Sequence, residues 1–296
     1  WVVCTKHHEG FCLFDSKLTD FSSVHSPARR DIIREIVEAA RQEGIRIGFY
    51  YSLMDWHHPD GARCLHDLQA RKRFVQYIHG QVEELMSNYG KIDILWYDVP
   101  WPLKADGWDS IGLNYMVRSL QPEILINNRS LLLEDFTTPE QKVEPPPAYR
   151  AWETCMTMNN SWGYNYADQE WKTVKQLLKV LIQTAHAGGN LLLNIGPKGD
   201  GSLQPECEQR LKEIGQWLKV HGEAIYGSER AQSEWMNCGL ATVKGNIMYW
   251  HITCWFGQDL WIGGIKNKIK KAWLVSTGQE VKFEQSFTPT ESCLLY

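Results

Sequence analysis

The sequence has little that would tie it to nucleic acid, a bilayer or a disulfide scaffold. Its 31 basic and 35 acidic residues are interspersed and leave a net charge of −4. No basic face for nucleic acid and no polybasic anchor for a membrane surface is therefore expected. No apolar stretch reaches the roughly 20 residues needed to cross a membrane as a helix. The cysteines (Cys4, Cys12, Cys64, Cys155, Cys207, Cys238, Cys254 and Cys293) are scattered, with no CxxC pair. That spacing argues against a disulfide framework and a cysteine-held metal cluster, and leans toward a reducing cytoplasm. No glycine-rich phosphate loop follows a strand-like run, no internal repeat is present, and Pro145-Pro146-Pro147 reads as a local stiffener. The chain opens on Trp1-Val2-Val3-Cys4-Thr5, which reads as the middle of a strand, so further sequence is expected upstream.

What is present in quantity is aromatic: 14 Trp and 12 Tyr in 296 residues, many at strand ends or in loops. Such loops suit sugar rings, while the plainer reading is a large core, and composition leaves both open. Strand and helix patterns alternate. Strands are expected at Trp1–Thr5, Ile45–Leu53, 92–98, Ile124–Asn127, Ala151–Met158 and Asn190–Ile195. Helices are expected at Asp31–Glu43, Asp67–Asn88, 109–120, Lys172–Ala187 and Pro205–His221. Near-continuous apolar strands in repeated βα units imply a parallel sheet covered on both faces. Six strands with polar C-terminal ends favour an α/β fold of the TIM-like (β/α) barrel type over a doubly wound sheet. After Ser228 the pattern changes to short alternating runs without helices, at Ile247–Thr253, Leu260–Ile262, Lys271–Val275 and Glu280–Phe283. The expected organisation is a barrel domain over 1–228 and a small antiparallel β domain, itself incomplete, over 229–296.

The stretch Ile92–Trp101, IDILWYDVPW, places one carboxylate, Asp98, at the tip of an apolar strand. A charge there is costly unless it is paired or used. The other strand ends carry polar groups too: Lys6-His7-His8-Glu9, Tyr50 with Asp55-Trp56-His57-His58, Trp96, and Asn127-Asn128-Arg129. The run 151–158 carries Glu153, with Trp162 just beyond. Two chemistries fit. Glycoside hydrolysis needs a nucleophilic carboxylate and a protonated one, roughly 5–5.5 Å apart in retaining enzymes. Metal-assisted hydrolysis would use His7, His57 and Asp98, but adjacent histidines on a strand point to opposite faces. Plainer readings stand beside these. His7 and His8 could be ordinary loop residues, Arg129 could pair Glu134 or Asp135, Glu153 could bond Arg150, and DWHHPD could open a helix.

The segments CTKHHEGFCLFDSKLTDF, GFYYSLMDWH, IDILWYD, ILINNR, DFTTPEQ, WETCMTMNNSWGYN and GGNLLLNIGPKGDG occur in this order over most of residues 1–228. Together they resemble the α-L-fucosidases of glycoside hydrolase family 29. The resemblance implies a retaining exo-hydrolase that removes terminal α-L-fucose from a glycan or aryl fucoside and uses neither a metal nor an organic cofactor. It implies Asp98 as the nucleophile and His7, His8, Tyr50, Trp96 and Arg129 as residues that bind fucose, with Trp162 as a wall for the sugar's methyl group. For the acid/base it offers Glu140, preferred on the TPE motif, and Glu153 on the strand. It also implies an upstream strand carrying a further sugar-binding histidine, expected to precede Trp1, and its usual Asp is Glu9 here. A homo-oligomer is compatible with it. The rival readings are a catalytically silent fucose-binding protein on the same scaffold and a metal-dependent barrel hydrolase.

Overall fold

The structure is a computed structural model that describes residues 1–147, 150–231, 235–236, 238–255, 257, 259–263, 265–286 and 292–295. Within 235–236 and 292–295 only the backbone is described. The chain divides into two compact units, Trp1–Thr138 and Pro139–Tyr296.

The first unit alternates β1 (Val2–Lys6), α1 (Ile32–Gln42), β2 (Gly48–Ser52), α2 (Leu68–Asn88), β3 (Ile94–Asp98), α3 (Ser110–Leu120), β4 (Leu125–Ile126) and β5 (Phe136–Thr137). β1 to β4 form a parallel sheet whose strand order follows chain order, without the reversal that a doubly wound sheet contains. The helices form where capping groups and apolar spacing coincide. Asp31 accepts a hydrogen bond from the Arg34 amide ahead of α1, and Asp67 accepts from the Gln69 and Ala70 amides ahead of α2. Ile33, Val37 and Ala40 then face inward from α1, as Phe74, Ile78, Val82 and Leu85 do from α2. These side chains pack with Phe49, Tyr51, Leu95, Tyr97 and Ile126 from the strands into one continuous core.

The strand expected at Ile45–Leu53 begins only at Gly48. The residues before it are taken by the helix end: Gly44 adopts φ +67°, and the Ile45 amide donates back to the Ala40 carbonyl. At Gly48 a Cβ would lie 2.7 Å from that of Ile94, so only glycine lets β2 and β3 approach there.

The second unit contains β6 (Ala151–Thr157), α4 (Val174–His186), β7 (Asn190–Asn194) and α5 (Pro205–His221). β6 and β7 pair in parallel, and Thr173 with Gln176 forms a complete capping box before α4. Every strand pair described beyond these is antiparallel. β8 (Glu229–Arg230), β10 (Gly239–Lys244) and β11 (Ile247–Ile252) form one sheet; β9 (Trp235–Met236), β12 (Leu260–Gly263), β13 (Phe283–Gln285) and β14 (Ser292–Leu295) form the other.

Expectations change here: the strand expected at Glu280–Phe283 lies at Phe283–Gln285 instead. The run Lys271–Val275 is not a strand: it meets the chain at a single bridge, Trp273 to Glu280. A turn closes on itself instead, with the Gly278 amide on the Leu274 carbonyl, and this consumes the groups a ladder would need. Conversely, β10 was not expected from its sequence, although the two-residue Gly245-Asn246 turn that joins it to β11 is a hairpin signal. Cys4, Cys12, Cys64 and Cys207 carry free thiols; for Cys293 only the backbone is described.

Candidate active site

The carboxyl ends of β1 to β4 bring six of the expected residues together. Tyr50, Trp96 and Asp98 share one face of the sheet because β2 and β3 pair in register, Tyr50 opposite Trp96, and because Asp98 lies two residues beyond Trp96. The Tyr50 and Trp96 rings stack at 5.6 Å, and the His7 ring stacks on the other side of Tyr50 at 5.4 Å. The Arg129 guanidinium lies 4.8 Å from the centre of the Trp96 ring. A row His7–Tyr50–Trp96–Arg129 therefore runs across the strand ends.

Both histidines join this site, contrary to the expectation that neighbouring histidines diverge. β1 ends at Lys6, its register with β2 slipping between Cys4 and Lys6. The chain then turns, closed by the Gly10 amide on the His7 carbonyl, with Gly10 at φ +89°. In a turn, strand alternation no longer holds, and the two rings lie 3.6 Å apart. Ring nitrogens of His7 and His8 and a carboxylate oxygen of Asp98 come within 4.8 Å of one another. His57, the other histidine considered as a ligand, stacks on Phe21 at 3.9 Å and is outside this trio.

Asp98 is held at both oxygens. The Tyr50 hydroxyl donates to one at 2.6 Å and Arg129 Nη1 to the other at 2.7 Å. Each oxygen keeps a lone pair after these bonds, so the carboxylate can still reach a ligand atom. Its backbone carbonyl accepts from the Leu53 amide. Arg129 is fixed in turn by donating to Thr138, through Nε to the hydroxyl and through Nη2 to the carbonyl. Glu134 and Asp135, the other acids considered for Arg129, accept from Arg118 at 2.6 and 2.8 Å.

The electrostatics keep the donors protonated. Burial, followed by the neighbouring Asp98 charge, raises the Tyr50 phenol well above its usual range. Burial and then the neighbouring His7 lower the His8 imidazole, so His8 is held in its neutral form. His8 Nδ1 is buried and has no hydrogen-bond partner among the described residues, which leaves it for a ligand hydroxyl. Burial, then Glu9 and Asp98, push the Cys4 thiol up to about 12 and keep it unreactive.

Beneath the site lies a feature that the residue pattern did not reveal. Lys6 is fully buried, its ammonium 3.4 Å from Asp55 Oδ2 and 4.5 Å from the centre of the Tyr51 ring. Oδ1 of Asp55 accepts from the His57 and His58 amides. The Trp56 amide donates to the His8 carbonyl at 2.8 Å. The clamp therefore ties the loop after β2 to the histidine turn after β1. Asp60 in the same DWHHPD segment is the ordinary turn acid it resembles, paired to Arg73 through both oxygens.

The other three expected residues lie in the second unit. Glu140 is exposed on a segment that bridges Cys155 of β6. Glu153 is half-buried on β6, opposite Asn190 of β7. Trp162 is 39% exposed in the loop after β6. That loop is braced where Asp168 accepts from the Ser161 hydroxyl and the Asn160 amide, and where Gly196 packs directly on Gly163.

Residues 1–223 match the family model described as α-L-fucosidase. The tissue α-L-fucosidase of Mus musculus is 33% identical over 279 residues, covering 84% of this chain and 60% of its own length. Isoenzyme 1 of the α-L-fucosidase of Paenibacillus thiaminolyticus superposes with a TM-score of 0.83 at 35% identity, over 99% of this chain and 78% of that one. A glycoside hydrolase family 29 α-L-fucosidase variant from Bacteroides thetaiotaomicron, trapped as a covalent intermediate with 2-fluoro-fucosyl fluoride, does so at 0.83 and 28%, over 100% and 78%. The chain thus spans about three fifths of the mouse relative's length. With its motifs in order and the family match running through both parallel sheets, the chain belongs to the α-L-fucosidase family, glycoside hydrolase family 29.

Proposed function

We propose that the protein is a retaining exo-α-L-fucosidase acting on terminal α-L-fucose of glycoconjugates or oligosaccharides. The observation that carries this is Asp98, a strand-end carboxylate gripped by Tyr50 and Arg129 beside two histidines. In this reading Asp98 attacks the anomeric carbon, and the bond to the leaving oxygen breaks as a glutamic acid protonates it. Water then releases the sugar, with the same glutamate as base. Glu140 is the preferred acid/base and Glu153 the alternative. His7, His8, Tyr50, Trp96 and Arg129 grip the sugar, and Trp162 faces its methyl group. The trapped covalent intermediate of the Bacteroides relative supports the two-step course.

The same reading takes the fold as a TIM-like (β/α) barrel over residues 1–228, followed by an antiparallel β domain over 229–296. The unreversed order of β1 to β4 and the change to antiparallel pairing from β8 onward support it.

Release of nitrophenol from an aryl α-L-fucoside tests the assignment. Asp98→Ala is expected to be silent. With azide added, Glu140→Ala is expected to accumulate β-fucosyl azide while Glu153→Ala does not; the reverse would move the acid/base to Glu153. Saturable fucose binding with no turnover by the unaltered protein would instead establish a silent binding protein.

The trio His7, His8 and Asp98 also suits a divalent cation in its donor types. Arg129, 2.7 Å from the same carboxylate, already supplies a positive charge there and would repel one. Turnover is therefore expected to survive chelation. Loss on chelation with recovery on adding zinc would favour the metal reading.

A further inference from the structure

Beside the Asp98 site, two tryptophans stand in solvent. Trp56 is 55% and Trp101 57% exposed, with ring centres 6.4 Å apart and planes 40° from parallel. Single exposed aromatics are common, but two adjoining indoles at the edge of a polar pocket make a patch, and such patches mark binding surfaces. The Trp56 ring also lies 4.3 Å from that of His8. The pair therefore begins one ring's breadth from the residues around Asp98.

Neither indole is exposed for want of order. The Trp56 amide is tied to the His8 carbonyl, and Asp55 before it is pinned by Lys6 and by the His57 and His58 amides. Trp101 projects from a short loop in which Val99 and Leu103 are buried at 8% and 6% exposure. Val99 holds φ +46°, a conformation costly for a β-branched residue and retained only where the surroundings impose it. The indole of the buried Trp108 donates to the Pro100 carbonyl and anchors the same loop. The loop thus folds Val99 and Leu103 in and Trp101 out.

We infer that Trp56 and Trp101 form the platform for the sugar to which fucose is attached, a specificity-determining subsite outside the fucose pocket. This rests on the fucoside reading of the Asp98 site. The apolar face of a pyranose presents C–H bonds carrying slight positive charge, which suit the negative face of an indole. Two tilted indoles cradle such a ring, and the pre-ordered loops leave little entropy to lose on binding.

Two substrates separate this from the reading on which it rests. α-L-Fucosyl fluoride carries no second sugar; a fucosylated trisaccharide does. Trp101→Ala is expected to lower kcat/KM on the trisaccharide about tenfold, through KM, and to leave the fluoride unchanged within about twofold, since stacking of this kind is worth roughly that factor. An equal effect on both substrates, or none on either, overturns the inference. Calorimetry in the turnover-silent Asp98→Ala background decides the case: adding Trp101→Ala should weaken binding of the trisaccharide and leave that of free L-fucose unchanged. If the unaltered protein hydrolyses neither substrate yet shows that selective loss, the hydrolase reading fails and the platform stands. If both ligands bind the variant and the parent alike, the platform fails. Trp56→Phe, which keeps a ring against His8, should lower trisaccharide affinity less than Trp101→Ala does.

Discussion

The carboxyl ends of β1 to β3 and the antiparallel sheets after Ser228 use the same residue types to different ends. In the first region polar groups are cross-braced: Asp98 by Tyr50 and Arg129, Arg129 by Thr138, and Asp55 by Lys6 and two amides. In the second, Trp255, Trp261 and Trp273 stand 59%, 52% and 38% exposed on strands and turns, with no comparable polar network around them among the described residues. Exposure of an aromatic is therefore not the mark of a site. The mark is exposure beside groups whose positions are over-determined, because a ligand gains most from contacts that need no further ordering.

Substitutions can sharpen or break that contrast. The largest effect is expected at Asp98→Ala, a loss of turnover of about 10⁴-fold or more with circular dichroism unchanged. Substantial residual activity would place the nucleophile elsewhere. Next come the buried supports. Lys6→Met leaves Asp55 without its cation and should cost about 3–5 kcal/mol in denaturant unfolding, since an unpaired buried charge remains. A smaller loss for the double variant Lys6→Met/Asp55→Asn would confirm that the two act as a pair. Tyr50→Phe and Arg129→Met remove one donor each from Asp98 and should each lower kcat about 10²-fold, with unfolding midpoints near that of the parent protein. If stability fell while kcat held, these bonds would be structural only.

The second region supplies the smaller effects. His251 is buried, with Nε2 3.0 Å from the Thr242 hydroxyl, whose proton goes to the Ala224 carbonyl. Burial, then His186 and His221, lower its pKa from 6.5 to about 4. Above pH 6.5 both folded and unfolded chains are neutral at this position. On acidification the unfolded chain takes the proton first, so stability should fall between 6.5 and about 4 and level off below. The loss attributable to His251 is on the order of 3 kcal/mol, and His251→Gln should flatten that part of the profile. An unchanged profile would mean that other groups set the acid limit. Trp261→Ser, on an exposed face, should move stability by no more than about 0.5 kcal/mol.

Much was legible locally. The succession of βα units, the helices to within a few residues of their ends, and the shared face of Tyr50, Trp96 and Asp98 follow from capping residues and from periods of 3.6 and 2. Where a helix end claimed the first residues of β2, or a turn at Gly278 replaced a ladder, apolar pattern alone misplaced the boundary. A strand pattern cannot say where the strand stops, so it set His7 and His8 on opposite faces, whereas the turn after Lys6 puts both imidazoles beside Asp98.

Amino-acid order by itself determined which residues could do chemistry and the sheet face on which three of them stand, because those depend on neighbours a few positions away. Only tertiary structure decided the partners. Arg118 serves Glu134 and Asp135, and Arg129 reaches Asp98 across 31 residues. Lys6 finds Asp55 across 49. Charges select partners by distance through space, and that distance exists only once the strands have been laid side by side.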